Sequence, residues 1–187
     1  MSPFTATCDM ETKGGGWMLV LNYLHKGGTN PDLEILSDKL PLIGSTDLGE
    51  NEAGTIHWGH ASNDLMSVLN KVAKGEYRFY CKTSNHNRTM HFITNEPSVD
   101  AYFTSGKGRI NVKKFKTNYT PLPDHTAYLP KDTNNGFSDQ EDKAMTEFPF
   151  YKSGNYHWGI KGLKRRWECD DYPNNYSQDT YHQIWVR

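Results

Sequence analysis

Apolar and polar positions are patterned most clearly near the two ends of the chain. Trp17-Met18-Leu19-Val20-Leu21 is a continuous apolar run of strand length, as expected of a strand covered on both faces. The preceding Gly14-Gly15-Gly16 opens backbone angles closed to other residues and predicts a tight hairpin. Tyr77 to Lys82 alternates, with Tyr77, Phe79 and Cys81 on one face and Arg78, Tyr80 and Lys82 on the other. Met90 to Thr94 is its expected partner across the polar turn Ser84-Asn85-His86-Asn87. Thr180 to Val186 alternates again, His182, Ile184 and Val186 opposing Tyr181, Gln183 and Trp185.

Helical spacing is confined to two segments. Asp32 to Leu40 reads as a short helix stopped by Pro41. A second helix takes Ser62 or Asn63 as its cap, carries Leu65, Met66, Leu69 and Val72 as a core stripe, and ends at Gly75. Gly27 to Asn30 reads as a turn and Ile43 to Gly59 as loop. Short strands are expected at Ala101 to Thr104 and Arg109 to Phe115, before a loop punctuated by Pro121, Pro123 and Pro130. Irregularity across the middle of the chain suits a domain that keeps its loops for binding.

Composition narrows the choice. A chain of 187 residues fits one core. Aliphatics are sparse within the 35% of hydrophobic residues, but aromatics reach 13%, so Trp, Tyr and Phe are expected to build core and binding surface, which favours β structure. A net charge of -1 and a pI near 6.7 leave no basic surface for nucleic acid. The runs Lys113-Lys114-Phe115-Lys116 and Lys161 to Arg166 are short enough to be solvated faces. No apolar run has the length of a membrane span, no membrane insertion is expected, and no signal peptide is visible. Met1-Ser2-Pro3 reads as a cut end, so the chain is expected to be a domain of a longer secreted protein. Three sequons agree with that location, at Asn87, Asn118 and Asn175.

Three cysteines lack zinc-ribbon or C-x-x-C spacing. Cys81 and Cys169 can pair across a long loop, a link worth about 4 to 5 kcal/mol by chain entropy. Cys8 would then take a partner upstream or on another chain, which leaves room for a homo-oligomer. The alternative is three buried thiols.

The densest chemistry lies between Asn134 and Ser177. Asp139, Glu141, Asp142, Glu168, Asp170 and Asp171 stand beside the pairs Asn134-Asn135 and Asn174-Asn175, a supply of hard oxygen ligands suited to calcium. The spacing is not that of an EF-hand, and two solvated loops would also carry such acids. Trp158, Trp167, Tyr172, Tyr176, Asn174 and Asn175 offer the aromatic faces and planar amides that a saccharide needs. The fragment His-Trp-Gly occurs twice, at His57-Trp58-Gly59 and His157-Trp158-Gly159, and reads as a turn after a buried Trp rather than a zinc site. Trp17 and Trp185 read as core. No common catalytic motif is present, so a hydrolase ranks last and no enzyme is expected.

Cys8-Asp9-Met10-Glu11-Thr12-Lys13-Gly14-Gly15-Gly16-Trp17 resembles the C-D-M-x-T-x-G-G-G-W signature of fibrinogen-related domains, shared by the intelectin (X-type) lectins. A later family pattern, N-G-x-x-F-S-T-x-D-x-D, G-N-C, W-x-x-C-H and N-L-N-G-x-Y, is similar to Asn135-Gly136-Phe137-Ser138, Gly154-Asn155-Tyr156, Trp167-Glu168-Cys169-Asp170 and Asn174-Asn175-Tyr176. The resemblance implies an α+β fibrinogen-like domain over 1–187, truncated at its N-terminus, with a twisted antiparallel sheet, a few short helices, long loops and a small hairpin subdomain at about residues 4 to 24. It also implies calcium in the first acidic loop and, beside the W-x-x-C segment, a pocket for acetylated or other glycan groups. Glu141 and Lys143 replace the two calcium aspartates, and an ammonium cannot ligate a cation. Calcium would therefore use Asp139, Glu141 and Asp142, or Glu168, Asp170 and Asp171. Tyr156 replaces a family Cys, which turns Cys169 toward Cys81. The expected function is extracellular recognition, secreted or at the cell surface, with calcium-dependent glycan binding through Trp158, Trp167, Asp170, Tyr172, Asn174, Asn175 and Tyr176. An adhesive or matrix domain with a protein partner is the alternative.

Overall fold

The computed structural model describes residues 7–25, 27–28, 58–60, 75–105, 112–131, 151–152, 155–156, 158–159, 168–170 and 177–187. The first strands are β1 (Cys8–Asp9), β2 (Trp17–His25), β3 (Trp58–His60), β4 (Tyr77–Thr83) and β5 (Thr89–Thr94). Helices α1 (Pro97–Ser105) and α2 (Val112–Phe115) follow, then β6 (Tyr119–Pro121). The last are β7 (Tyr151–Lys152), β8 (Asn155–Tyr156), β9 (Trp158–Gly159), β10 (Glu168–Cys169) and β11 (Thr180–Val186).

Among the described residues seven strands make one antiparallel sheet in the order β1-β2-β11-β4-β5-β6, with β3 sharing the outer edge of β2 with β1. The C-terminal strand thus lies between the N-terminal hairpin and the β4–β5 hairpin. Two further two-stranded ribbons, β7–β8 and β9–β10, stand apart from the sheet pairing. This is a mostly-β fold and not the expected α+β class, because among the described residues only α1 exceeds a single helical turn. Strands expected at Ala101 to Thr104 and Arg109 to Phe115 are helical where they are described. Local β propensity there yields to capping. Pro97 occupies the first helical position, and the Glu96 carboxylate accepts from the Ser98 backbone N–H and hydroxyl at 3.4 and 3.2 Å. The helices expected over 32–40 and 62–75 fall outside the described residues, apart from Gly75 itself. Both His-Trp-Gly fragments contribute strands, β3 and β9, instead of turns. No helix among the described residues is long and apolar enough to cross a membrane.

The alternation of β4, β5 and β11 gives the sheet two aromatic-lined faces. Phe79 stacks on Phe92 at 5.3 Å, Phe92 meets Phe115 of α2 at 5.6 Å, and Trp158 meets Phe79 edge-on at 5.6 Å. Cys81, Met90, Ile184 and Val99 are buried with them. The opposite face carries a second cluster of Trp17, Leu19, Ile93, Leu122 and Trp185.

Within that second cluster lies Arg78, almost fully buried. Its guanidinium sits 4.5 Å from the Trp185 ring centroid and 5.1 Å from that of Trp17, and it donates to Asp9 Oδ2 at 2.6 Å. Burial pushes the Asp9 carboxyl up, but hydrogen bonds from Thr12, Arg78 and the Glu11 backbone outweigh it and hold the group well below the usual carboxylate range. Arg187 stacks on Trp17 at 4.2 Å and donates to the carbonyls of Lys13 and Gly15 at 2.9 and 2.8 Å. Gly15 has φ 74°, and a Cβ there would come within 2.3 Å of the Met10 carbonyl oxygen, so the hairpin turn requires glycine.

Cys81 of β4 and Cys169 of β10 form a disulfide between residues 88 apart in sequence. Cys8 is not disulfide-bonded and is exposed on β1. The disulfide joins the short β9–β10 ribbon to the middle of the sheet. Replacing both cysteines by alanine should lower unfolding free energy by about 3 to 5 kcal/mol in guanidinium titrations. A loss below about 1 kcal/mol would show that burial alone holds the ribbon.

Candidate functional site

The β4–β5 connection and a later loop meet at the edge of the sheet. Residues 84–88 turn with Asn85 at φ 59°, a left-handed conformation that asparagine tolerates, and the His86 N–H closes the turn on the Thr83 carbonyl at 3.2 Å. After β6 the chain doubles back along β5. The Thr126 and Ala127 N–H groups donate to the Thr89 carbonyl at 2.9 and 3.1 Å, and the Thr89 N–H donates to Thr126 Oγ1 at 2.8 Å. Ala127, Leu129 and Pro130 face inward, and Tyr128 is left 50% exposed at the tip.

Asp170 explains why the tip holds this shape. It follows Cys169 directly, adopts φ 50°, and is fully buried. Its Oδ2 accepts from the Tyr128 N–H at 2.7 Å and its Oδ1 from the Leu129 N–H at 3.0 Å. Arg88 Nη1 lies 3.4 Å from Oδ2 and neutralises the charge. The same guanidinium covers the Tyr128 ring at 4.3 Å, and Lys131 Nζ lies 5.9 Å from that ring's centroid.

Histidines border the cluster in their neutral form. His86 Nε2 accepts from Arg88 Nε at 3.1 Å, which leaves the ring proton on Nδ1. His125 Nδ1 accepts from the His91 N–H at 3.0 Å, and His91 Nδ1 pairs with Asp124 at 2.7 Å. Burial pulls His86 below the ordinary imidazole value, with Arg88 reinforcing and Asp170 opposing. It does the same to His125, where Asp170 opposes and Lys131 reinforces. His91 is lowered by burial against the pull of Asp124.

Most residues expected from the sequence to form the site are outside the described set: Asp139, Glu141, Asp142, Trp167, Asp171, Tyr172, Asn174, Asn175 and Tyr176. Glu168 is placed by its backbone in β10, opposite Gly159. Asp170, expected as a metal and ligand residue, has both oxygens engaged by the 128–129 backbone and Arg88. That arrangement does not present it as a calcium ligand. Among the described residues no group of three or more His, Cys, Asp or Glu is arranged to hold a metal. Trp158, expected at a sugar, is fully buried between Phe79 and His182, which leaves no ring face for a ligand. Of the sequons, Asn87 is exposed in the turn, and Asn118 is exposed with its Nδ2 donating to Glu96 at 2.8 Å.

Arg88, Tyr128, Lys131 and His86 were not legible as a site. Arg88 reads in sequence only as the middle of a sequon, and Tyr128 as one tyrosine in a proline-rich loop. The one available signal is Tyr128-Leu129-Pro130, which breaks regular structure around an aromatic residue.

Two outcomes test this architecture. Asp170→Ala should cost about 2 to 4 kcal/mol in chemical denaturation, because it strands the buried Leu129 N–H, the part-buried Tyr128 N–H and the Arg88 charge together. Stability should be full above about pH 6.5 and fall as pH drops through that value. The unfolded histidines take protons first, since their folded counterparts are held lower. Melting temperatures between pH 8 and 5 check the sign, and a flat profile would contradict it.

Neither protein-family models nor curated protein sequences match this chain, so the likeness to fibrinogen-related domains rests on the motifs quoted above.

Proposed function

We propose that this chain is an extracellular recognition domain that binds glycans at the face formed by Tyr128, Arg88 and Lys131. The observation that carries the reading is the half-exposed Tyr128 ring, held at a loop tip whose backbone is fastened to a buried carboxylate. The ring surface that Arg88 leaves uncovered packs against the C–H surface of a sugar ring, and the flanking cationic N–H groups donate to its hydroxyl oxygens. Because the loop is already fastened, little ordering entropy opposes binding.

Three features support the setting. The Cys81–Cys169 disulfide suits an oxidising compartment. Asn87 is an exposed sequon beside the face. Cys169-Asp170 belongs to the segment that resembles the W-x-x-C-H motif, beside which fibrinogen-related domains receive glycan groups. Calcium, in this reading, belongs to the acids of 139–142 and stabilises the domain without touching Asp170. A protein ligand is the second reading, favoured by the pairing of an exposed Tyr with Arg, the residues that dominate protein hot spots.

A glycan array probed with the intact chain, with and without calcium, tests the proposal. Tyr128→Ala should weaken retained binding by about tenfold, the value of one aromatic contact. Calcium at tenfold excess over a dissociation constant of about 0.1 to 1 mM should raise Tm by a few degrees relative to chelator. Binding confined to peptides or matrix proteins would favour the second reading.

A further inference from the structure

The proposed recognition face holds cationic donors that have no acceptor among the described residues. Arg88 uses Nε on His86 and Nη1 on Asp170, and among the described residues its Nη2 has no hydrogen-bond acceptor. Lys131 is exposed and, among the described residues, makes only its long approach to the Tyr128 ring. Asp170 offsets the charge of Arg88 through Nη1 but leaves Nη2 as a donor and the charge of Lys131 uncancelled, because its oxygens are buried and already accept two backbone N–H groups. His86 is an acceptor toward Arg88 and so adds no competing negative charge.

Resting on the recognition reading above, we infer that the ligand is an acidic glycan, with a carboxylate or sulfate held by Arg88 Nη2 and Lys131 Nζ while the sugar ring lies against Tyr128. A guanidinium and an ammonium flanking one aromatic ring favour an oxyanion on a ring substituent over a neutral acetylated sugar. The site recognises the oxyanion, and both uronic or sialic carboxylates and sugar sulfates supply one.

The intact chain should be tested by surface plasmon resonance against immobilised sialylated, uronic and sulfated glycans, each beside its uncharged counterpart, at low and high salt. Acidic ligands should bind about tenfold tighter than their neutral forms and weaken as salt rises. Lys131→Gln, an exposed change away from the Asp170 network, should remove severalfold of that preference with Tm unchanged. Arg88→Lys keeps the charge opposite Asp170 but loses the fork, and should remove about tenfold. Preference for sulfate over carboxylate, or the reverse, would identify the source of the oxyanion within the proposal. Equal binding of charged and neutral glycans would overturn the inference and leave the recognition face standing. Acidic binding untouched by both substitutions would also overturn it, by moving the anion elsewhere. Binding of no glycan at all would remove the recognition reading itself.

Discussion

Asp170 carries a buried negative charge one residue from a disulfide, and the arrangement of the candidate site follows from how that charge is neutralised. A fully buried carboxylate is costly without hydrogen bonds and a counter-charge. Here the 128–129 backbone supplies the first and Arg88 the second. The disulfide brings Asp170 to the sheet by joining β10 to the middle of β4. Loop, turn and ribbon, distant in sequence, therefore share one electrostatic solution.

The sheet divides its labour between faces. On one, aromatic stacking of Phe79, Phe92, Phe115 and Trp158 forms a dry core with the disulfide beside it. On the other, Trp17 and Trp185 enclose Arg78, and Arg187 and Asp9 close the N-terminal hairpin over the C-terminal strand. A guanidinium between indole rings retains packing area as well as charge, which suits a chain poor in aliphatic residues. Among the described residues both faces are filled in these regions, so the proposed binding is assigned to the edge loops.

Edge placement bears on the proposed binding. Loop residues ordinarily lose entropy on binding, whereas residues 126–131 are ordered by β5 along one side and Asp170 beneath. Tyr128 is thus both exposed and positioned, a combination that a free loop would not provide. Neutral His86 helps by orienting the Arg88 fork through Nε.

Local pattern by itself determined four of the strands. The apolar run at 17–21, the alternations at 77–82 and 180–186 and the expected partner strand at 90–94 appear as β2, β4, β11 and β5, and the triple glycine appears as the hairpin turn. The Cys81–Cys169 pairing followed from the resemblance, in which Tyr156 stands where the family has the local partner of Cys169. Tertiary structure alone decided the rest. The capped Pro97 turned an expected strand into a helix, burial made Trp158 a core residue, and Asp170 became the anchor of a loop from another part of the chain. Short-range periodicity reports which face of an element is apolar. Whether a carboxylate meets a ligand or a distant backbone N–H depends on how remote segments pack, and no local pattern carries that information.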